Sequence, residues 1–253
     1  MRLSYLNTCV AMTVRELARK YVVLTLALLL PVVFFAVTFA TTGDRVVPVT
    51  IAWATEPVTE VDERRMTLLF IGIAAAGIIS AFFASSLIQR QVAANRRLVL
   101  CGYRAIEIIT ARLAVLLGII VATTLYTWLL LSLVASPSFP AGAFLGIGLG
   151  AFVYGCYGLL VGTVFRRELE SVFAILVLIN IDAGWLQNPI YYESSRSKWL
   201  IEALPAHFPA QVAYLAAFTP DSYARCGTYA LAYGSTFLVV ALAWYSFRMR
   251  LTR

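Results

Sequence analysis

Six long apolar runs, separated by polar or mixed segments, dominate the sequence. A helix rises 1.5 Å per residue, so about 20 apolar residues cross the ~30 Å hydrocarbon core of a membrane. The fifth run has the shortest apolar core, and Asn180 and Asp182 follow it. The pattern predicts an all-α polytopic membrane protein with a single transmembrane domain over residues 1–253. Its predicted spans are residues 22–40, 68–88, 113–134, 141–165, 172–185 and 229–247.

Two segments outside these runs also have helical patterns. Apolar residues recur at helical spacing near the N-terminus, at Leu3, Leu6, Val10, Val14 and Leu17. They predict an amphipathic helix over 1–20 that lies in the membrane interface with its apolar face in lipid; the alternative is a basic flank that only helps to set topology. Residues 186–228 contain apolar stretches too short to span, broken by prolines. They predict short re-entrant helices on the external side.

The charges indicate orientation. The chain is 61% apolar and carries a net charge of +7, which alone would suggest nucleic acid as a partner. Fourteen of the twenty cations, however, lie on one side: in the N-terminus, 89–112, 166–171 and the C-terminal tail. Cytoplasmic loops of membrane proteins are enriched in Lys and Arg. We therefore expect both termini in the cytoplasm, a bacterial inner membrane location, and no nucleic acid partner.

The predicted cytoplasmic segment 89–112 is long, basic and partly apolar. It reads QRQVAANRRLVLCGYRAIEIITAR. Leu98, Val99 and Leu100 predict a short amphipathic helix, and Gly102 predicts a break before a helix over 104–112 that continues into the third span. Such a helix and turn would form a binding site for a cytoplasmic protein. The alternative is a helix that binds lipid headgroups.

Small residues recur at four-residue steps in two predicted spans. The second span has Gly72, Ala76, Ser80 and Ala84 at this step. In the fourth span the step is followed by Gly142, Gly146, Gly150, Gly158 and Gly162, with Tyr154 the only interruption. Stripes of this kind allow helix backbones to approach closely in lipid. They predict tight packing, either static or between helices that slide.

Polar groups within spans are candidates for function. Asp182 is the only acid in a predicted span. It could relay protons, or it could have a structural or capping role near the external end, where water reaches it; we expect the second. Tyr126, Tyr154 and Tyr157 could line a path for an amphipathic substrate together with Asp182, although aromatic residues near span ends are usually interface anchors.

The sequence argues against an enzyme. A single histidine, His207, excludes an H-E-x-x-H metal motif, and no G-x-S-x-G motif occurs. No P-loop is present, because neither lysine follows a glycine. The four cysteines include no C-x-x-C pair. We expect no cofactor or metal on this chain, so any driven work needs energy from a partner or from an ion gradient.

The segment RRLVLCGYRAIEIITARL resembles the corresponding part of ABC-2-type transporter permeases. The amphipathic N-terminus, the six-span layout and the W-L…L-P pattern near Trp199 are also similar to that family. Where the family carries E-R-E-x-G-T, this chain reads Gln89-Arg90-Gln91-Val92-Ala93-Ala94, so only the arginine is kept. The resemblance covers nearly the whole chain and implies a type V exporter-like fold.

The resemblance also implies partners. The chain would be the permease subunit of an ABC exporter of drugs, lipids or polysaccharides, as in antibiotic efflux. It would pair with a second copy or a sister permease, and would bind two P-loop ATPase subunits that hold ATP and Mg²⁺. Residues 89–112 would form the coupling segment. Its candidate contact residues are Arg96, Arg97, Leu98, Val99, Leu100, Gly102, Arg104 and Glu107.

Two other function classes stay open. One is a secondary transporter that uses Asp182, whose activity would follow the proton gradient without ATP. The other is a membrane scaffold or sensor without an ATPase partner. If the chain is an exporter, the glycine-rich core and aromatic content favour an amphipathic drug-like or lipid-like substrate over a hydrated polysaccharide.

Overall fold

A computed structural model describes residues 3–55, 58–89, 105–135, 140–165, 167–188, 192 and 195–251. Within these residues, the regular secondary structure is helical except for one β-hairpin. Its helices are α1 Leu3–Ala18, α2 Tyr21–Thr41, α3 Glu63–Gln89, α4 Ala105–Val134, α5 Pro140–Val164, α6 Glu168–Ile181, α7 Lys198–Glu202, α8 His207–Phe218 and α9 Ala224–Leu251.

Among the described residues, six helices are long and apolar enough to cross a membrane: α2, α3, α4, α5, α6 with the turn that follows it, and α9. The predicted helical character is thus confirmed, and the number of these helices agrees with the six predicted spans. Several helices extend beyond their apolar runs, since α3 begins at Glu63 and α9 at Ala224. The helix expected over 104–112 is continuous with the third span from Ala105 onwards.

A two-stranded antiparallel hairpin connects α2 to α3, a feature that the sequence analysis did not predict. Its strands are β1 Val46–Thr50 and β2 Val58–Asp62, with Val46 opposite Asp62 and Thr50 opposite Val58. Val49 and Val61 are buried. Two ion pairs tie the base of the hairpin to the start of α3, one between Arg45 and Glu63 and one between Arg64 and Asp44.

The helices α3 and α5 form the centre of the bundle. The buried residues of α3 run from Met66 to Leu87 and include nearly every position between them. Helix α5 contacts α3 and α8 along its glycine-rich face, and it also packs against α9. The other long helices surround this pair and expose large apolar side chains, as expected for surfaces that face lipid.

The N-terminal helix α1 packs against the start of α4. Cys9 is buried with Ile108 and Ala111, and Leu6 and Val10 pack beside them. The sequence pattern predicts that the whole apolar stripe of α1 faces lipid. That expectation is wrong for Leu6 and Val10, which contact protein. The residues of the stripe do not all point in the same direction around the helix axis. Val14 faces away from these contacts and is 50% exposed.

Candidate functional site

Asp182 lies at the end of α6 and is fully buried, with 0% of the residue exposed. The expectation that water reaches it is therefore wrong. Its carboxylate contacts Tyr154 of α5. Tyr154 is in the middle part of α5, about 15 Å along the helix axis from Val164, the last residue of that helix. Instead of leaving the bundle after its short apolar core, the chain makes a π-helical turn over Asp182–Leu186. This turn keeps Asp182, Ala183 and Gln187 buried.

Three neutral donors hold the Asp182 carboxylate. The Tyr154 hydroxyl donates to Oδ2 at 2.6 Å, Gln187 Nε2 donates to Oδ1 at 2.9 Å, and the Ala206 N–H donates to Oδ2 at 2.8 Å. Ala206 immediately precedes α8, so the carboxylate lies at a helix N-terminus, where the helix dipole favours negative charge. Within the described residues, no lysine or arginine forms an ion pair with Asp182.

Gln187 connects Asp182 to the segment between α6 and α9. Its amide nitrogen also donates to the Ile201 carbonyl at 3.0 Å, and its Oε1 lies 3.3 Å from His207 Nδ1. Burial lowers the pKa of His207 to about 4, so the ring is neutral at neutral pH. Its Nδ1–H therefore donates to Gln187, whose amide hydrogens both have acceptors.

Two tyrosines extend this polar cluster. The Tyr214 hydroxyl of α8 donates to the Gln187 carbonyl at 3.3 Å. The Tyr192 hydroxyl donates to Glu202 Oε1 at 2.7 Å, and its ring lies 6.1 Å from the His207 ring. Burial, together with the hydrogen bond to Glu202, raises the pKa of Tyr192. The cluster thus joins α5, the π turn, α7 and α8 through side chains that are neutral except for two acids.

The glycines of α5 form close contacts with two different helices. Gly142 and Gly146 face Ala216 and Ala213 of α8, whereas Gly158 faces the Ala81 backbone of α3. A Cβ at any of these positions would overlap with a neighbouring atom. Between them, a Cβ on Gly150 would lie 2.6 Å from Ile73 Cγ2 of α3.

The last stripe glycine, Gly162, is also in close contact with α3, since a Cβ there would lie 2.9 Å from the Ser85 Cα. Tyr154 interrupts the glycine spacing and fills the space beside Gly77 of α3, where a Cβ would lie 2.5 Å from the tyrosine ring. One face of α5 therefore packs against α8 near its Pro140 end and against α3 over the rest.

The small residues noted in α3 face other helices. A Cβ on Gly72 would lie 3.4 Å from the Phe35 ring of α2 and 3.5 Å from Thr127 of α4. The Ser80 hydroxyl lies 3.2 Å from the Thr123 hydroxyl of α4. Hence α3 uses one small-residue face for α5 and another for α2 and α4.

The predicted substrate-path residues do not come together in the structure. Tyr154 is buried against Asp182, as described above. Tyr126 is on α4, where its hydroxyl donates to the Leu28 carbonyl of α2 at 2.6 Å. The Tyr157 hydroxyl donates to the Ala174 carbonyl of α6 at 3.3 Å. Of the four predicted residues, the structure brings only Tyr154 and Asp182 into direct contact.

Most of the predicted coupling residues lie outside the described residues. These are Arg96, Arg97, Leu98, Val99, Leu100, Gly102 and Arg104. Glu107 is described, and it is buried in the first turn of α4. The pKa of the Cys9 thiol of α1 is raised by burial and by the nearby Glu107 charge. Arg112 is buried on the same helix beside Glu16 of α1 and Tyr245 of α9.

The other end of the coupling segment is also attached to neighbouring helices. Gln89 Nε2, at the end of α3, donates to the Phe165 carbonyl at 3.1 Å and to the Ser171 hydroxyl at 2.5 Å. These residues belong to the junction between α5 and α6. Residues 90–104 therefore connect an end attached to α5 and α6 with an end packed against α1 and α9.

A second polar contact attaches the hairpin to the start of α9. The Thr55 N–H and hydroxyl donate to the two oxygens of Asp221, at 2.8 and 2.7 Å. These hydrogen bonds lower the pKa of Asp221. The Arg225 guanidinium lies over the Trp53 ring at 5.2 Å. The tip of the hairpin is thus held by groups at the predicted external surface.

His207 and Gln187 belong to the polar cluster although the sequence pattern predicts neither. The single histidine serves there only to exclude enzyme motifs, and Gln187 falls in the predicted external segment. One signal was available. His207, Gln211 and Tyr214 recur at helical spacing within an otherwise apolar stretch, which indicates a polar face on a buried helix. No family model matches this chain, and no curated protein matches it.

Proposed function

We propose that this chain is the permease subunit of an ABC exporter of the ABC-2 type, which moves an amphipathic drug-like or lipid-like molecule across a bacterial inner membrane. A separate pair of ATPase subunits binds the cytoplasmic segment 89–112 and supplies the energy. A second permease copy or a sister permease completes the complex. In this proposal both termini are cytoplasmic.

The attachment of residues 90–104 at both ends is the observation that carries this proposal. Gln89 links one end to the α5–α6 junction, and buried residues around Glu107 link the other to α1. A force applied to the segment by a partner is therefore transmitted to several helices at once. A headgroup-binding loop has no need of such connections.

The arrangement of α8 also favours this proposal. This helix runs antiparallel to α5, from Pro209 near Gly150 to Ala216 beside Gly142. It therefore lies beside the outer half of span four, as a re-entrant helix between spans five and six would. Nearly all of its residues are buried, from His207 to Ala217.

The proposal is tested by co-purification of an ATPase from the native host. Leu98→Asp places a charge on the apolar face of the segment, so we expect loss of the bound ATPase with normal membrane insertion. Arg96→Ala removes one rim charge and should only weaken binding, more strongly at high salt. Leu169→Asp is the matched control, because Leu169 is 75% exposed in the other predicted cytoplasmic loop. Retention of the ATPase and of substrate-stimulated hydrolysis by Leu98→Asp would contradict the proposal.

Gln89 allows docking and force transmission to be separated. Gln89→Ala removes the hydrogen bonds to Phe165 and Ser171 but leaves the predicted docking residues intact. We expect the ATPase to bind normally while substrate-stimulated ATP hydrolysis falls. Normal stimulation in this variant would show that the Gln89 contact does not transmit force.

An ion-coupled secondary transporter is the second candidate, favoured by the buried acid Asp182 at the depth of Tyr154. Ionisable groups within membrane helices often carry protons or ions. In proteoliposomes without ATP, this candidate requires substrate uptake driven by an imposed pH gradient and abolished by Asp182→Asn. We expect the gradient alone to drive no uptake.

A further inference from the structure

Six aromatic rings form a continuous row from the tip of the hairpin into the helical bundle. Consecutive ring centroids lie between 5.2 and 6.5 Å apart, within the range of direct aromatic contact. We call this row the aromatic ladder. In spatial order its members are Trp53, Tyr229, Phe208, Tyr233, Phe237 and Tyr157.

The depth of the ladder sets it apart from an interface belt. Tyr229, Tyr233 and Phe237 follow one another by one turn in α9 and extend over about 12 Å. Tyr157 continues the row on α5, about 10 Å from the Val164 end of that helix. Aromatic belts lie at the level of the headgroups, whereas this row continues inward along the predicted sixth span. Interface anchoring therefore does not account for it.

The α9 rings lie at the edge of its packing face, where they contact rings of α5 and α8. That packing face consists of small residues such as Ala230 and Gly234, and a Cβ on Gly234 would lie 2.5 Å from the Phe152 ring of α5. Trp53 and Tyr229 are 36% and 40% exposed, and the other four rings are partly exposed. Every ring of the row is thus accessible in part.

The hydroxyls of two ladder tyrosines are bonded within the protein. The Tyr233 hydroxyl donates to the Ala203 carbonyl at 2.7 Å, and the Tyr157 hydroxyl donates to the Ala174 carbonyl. The membrane half of the row therefore offers ring faces to a ligand and keeps its hydroxyls engaged elsewhere. Such a surface suits a flat apolar body better than a sugar, which needs many hydrogen bonds.

Arg225 determines the charge that the outer end of the ladder accepts. This exposed guanidinium lies over Trp53 at 5.2 Å and over Tyr229 at 6.0 Å. A cationic head would compete for the same ring faces and would be repelled, whereas an anionic head would pair with the guanidinium. The nearby Asp221 carboxylate is already bonded to Thr55.

We propose that the aromatic ladder is a membrane-facing binding path for an amphiphile with a flat aromatic body and an anionic head, which Arg225 receives at the outer end. The inference deepens the proposed function by naming the substrate class, and only its role as a transport route rests on that function. Binding itself needs no ATPase and can be measured on the permease alone.

The test uses the full chain in nanodiscs of zwitterionic lipid. Two benzophenone photoprobes share one alkyl chain and carry either a carboxylate or a trimethylammonium head. We expect the carboxylate probe to label Phe208 and residues 229–237 preferentially. Combining Tyr233→Leu with Phe237→Leu should lower this labelling by about tenfold, because two ring contacts are lost. Arg225→Glu should reverse the preference for the two heads.

A matched control comes from the same helix. Trp244 and Phe247 form a pair at 6.3 Å near the other end of α9 and are 48% and 57% exposed. Changing both to leucine should leave ladder labelling unchanged. If the double ladder variant does not fold, Arg225→Glu keeps the test decisive, because it alters only an exposed side chain.

Three results would overturn the inference. The first is equal labelling by the two probes, and the second is labelling of the ladder no stronger than that of the Trp244–Phe247 pair. The third is a disulfide between two copies of a Tyr233→Cys variant, because the ladder would then face another subunit. Preferential labelling in a chain that co-purifies with no ATPase would leave the ladder in place and contradict only the proposed function.

Discussion

Helix α2 is more apolar than helix α3, yet α3 is the more buried of the two. Helix α2 is the most apolar of the six long helices, yet only 17% of its span is buried, whereas 78% of the α3 span is buried. The apolarity of a helix indicates that it crosses the membrane but not where it lies in the bundle. The position follows from side-chain size, because α3 has faces of Gly, Ala and Ser that let other helices approach closely.

Large exposed side chains mark the outer helices. Leu26, Leu28 and Leu29 of α2 are at least half exposed. Such residues contact lipid as favourably as protein, so little is gained by burying them. The comparison leads to a simple expectation: substitutions should be costly in the α3–α5 centre and tolerated on the outer helices.

The largest effect is expected at Gly158. Leucine at this position would overlap with the Ala81 backbone of α3, which cannot move aside. We expect a loss of about 3 kcal/mol or failure to assemble, at the upper end of overpacking costs. Gly118→Leu is the control, because no atom lies within 4 Å of a Cβ there. Thermal unfolding and size-exclusion profiles in detergent measure both, and equal behaviour would remove the distinction between centre and periphery.

A comparable loss is expected when the buried acid is removed. Asp182→Leu leaves the donors of Tyr154, Gln187 and Ala206 without their acceptor, and we expect a cost of about 2–3 kcal/mol, no larger than that at Gly158. Asp182→Asn keeps one acceptor oxygen and should cost about half as much. Asn180→Leu should change stability little, because Asn180 is exposed and bonds only within its helix. Thermal unfolding that ranks Asn180→Leu with Asp182→Leu would show that the polar cluster does not hold the bundle together.

At the predicted external surface the effects should be local. Asp221→Ala should speed hydrogen exchange of the Thr55 amide, which donates to Asp221, while Ser222→Ala should not. Because the pKa of Asp221 is lowered in the folded protein, its contribution is complete above the ordinary aspartate pKa of about 3.9. The contribution is lost only as the pH falls through the lowered value. Loss of protection already at pH 5 would contradict this assignment.

The smallest effect on the structure is expected from two cysteine substitutions that test the orientation of the chain in the membrane. Cys226 is buried, so it is a poor target for surface labelling. Ser222 is exposed on the predicted external side, so Ser222→Cys should react with an impermeant thiol reagent in intact cells. Ser246→Cys, exposed near the C-terminal end of α9, should react only after the cells are opened. The reverse pattern would invert the orientation.

The sequence predicted the number of spans well because long apolar runs have a single physical explanation. It also identified the α5 glycines as packing residues, since small residues at one helical face have few other uses. It could not tell which helices those glycines contact. Gly142 and Gly158 have the same place in the sequence pattern, but Gly142 packs against α8 and Gly158 packs against α3. The difference arises because α8, which comes later in the chain, packs beside only one end of α5.

The depth of Asp182 could not be predicted for a related reason. A polar residue after a short apolar core usually marks the end of a span, and only the π turn keeps Asp182 inside. The hairpin was missed because each strand has only five residues, with Pro48 inside the first. Its position depends on long-range contacts such as Thr55 with Asp221, which no local pattern encodes.

The contact between Tyr154 and Asp182 also orders events during synthesis. Ribosomes add about 5–20 residues per second, so Tyr154 is made seconds before Ala206. The first donor to Asp182 therefore lies on a helix made before it, Gln187 follows within five residues, and Ala206 comes last, just before α8. A chain truncated before residue 206 would contain the acid and two of its donors but would lack the third.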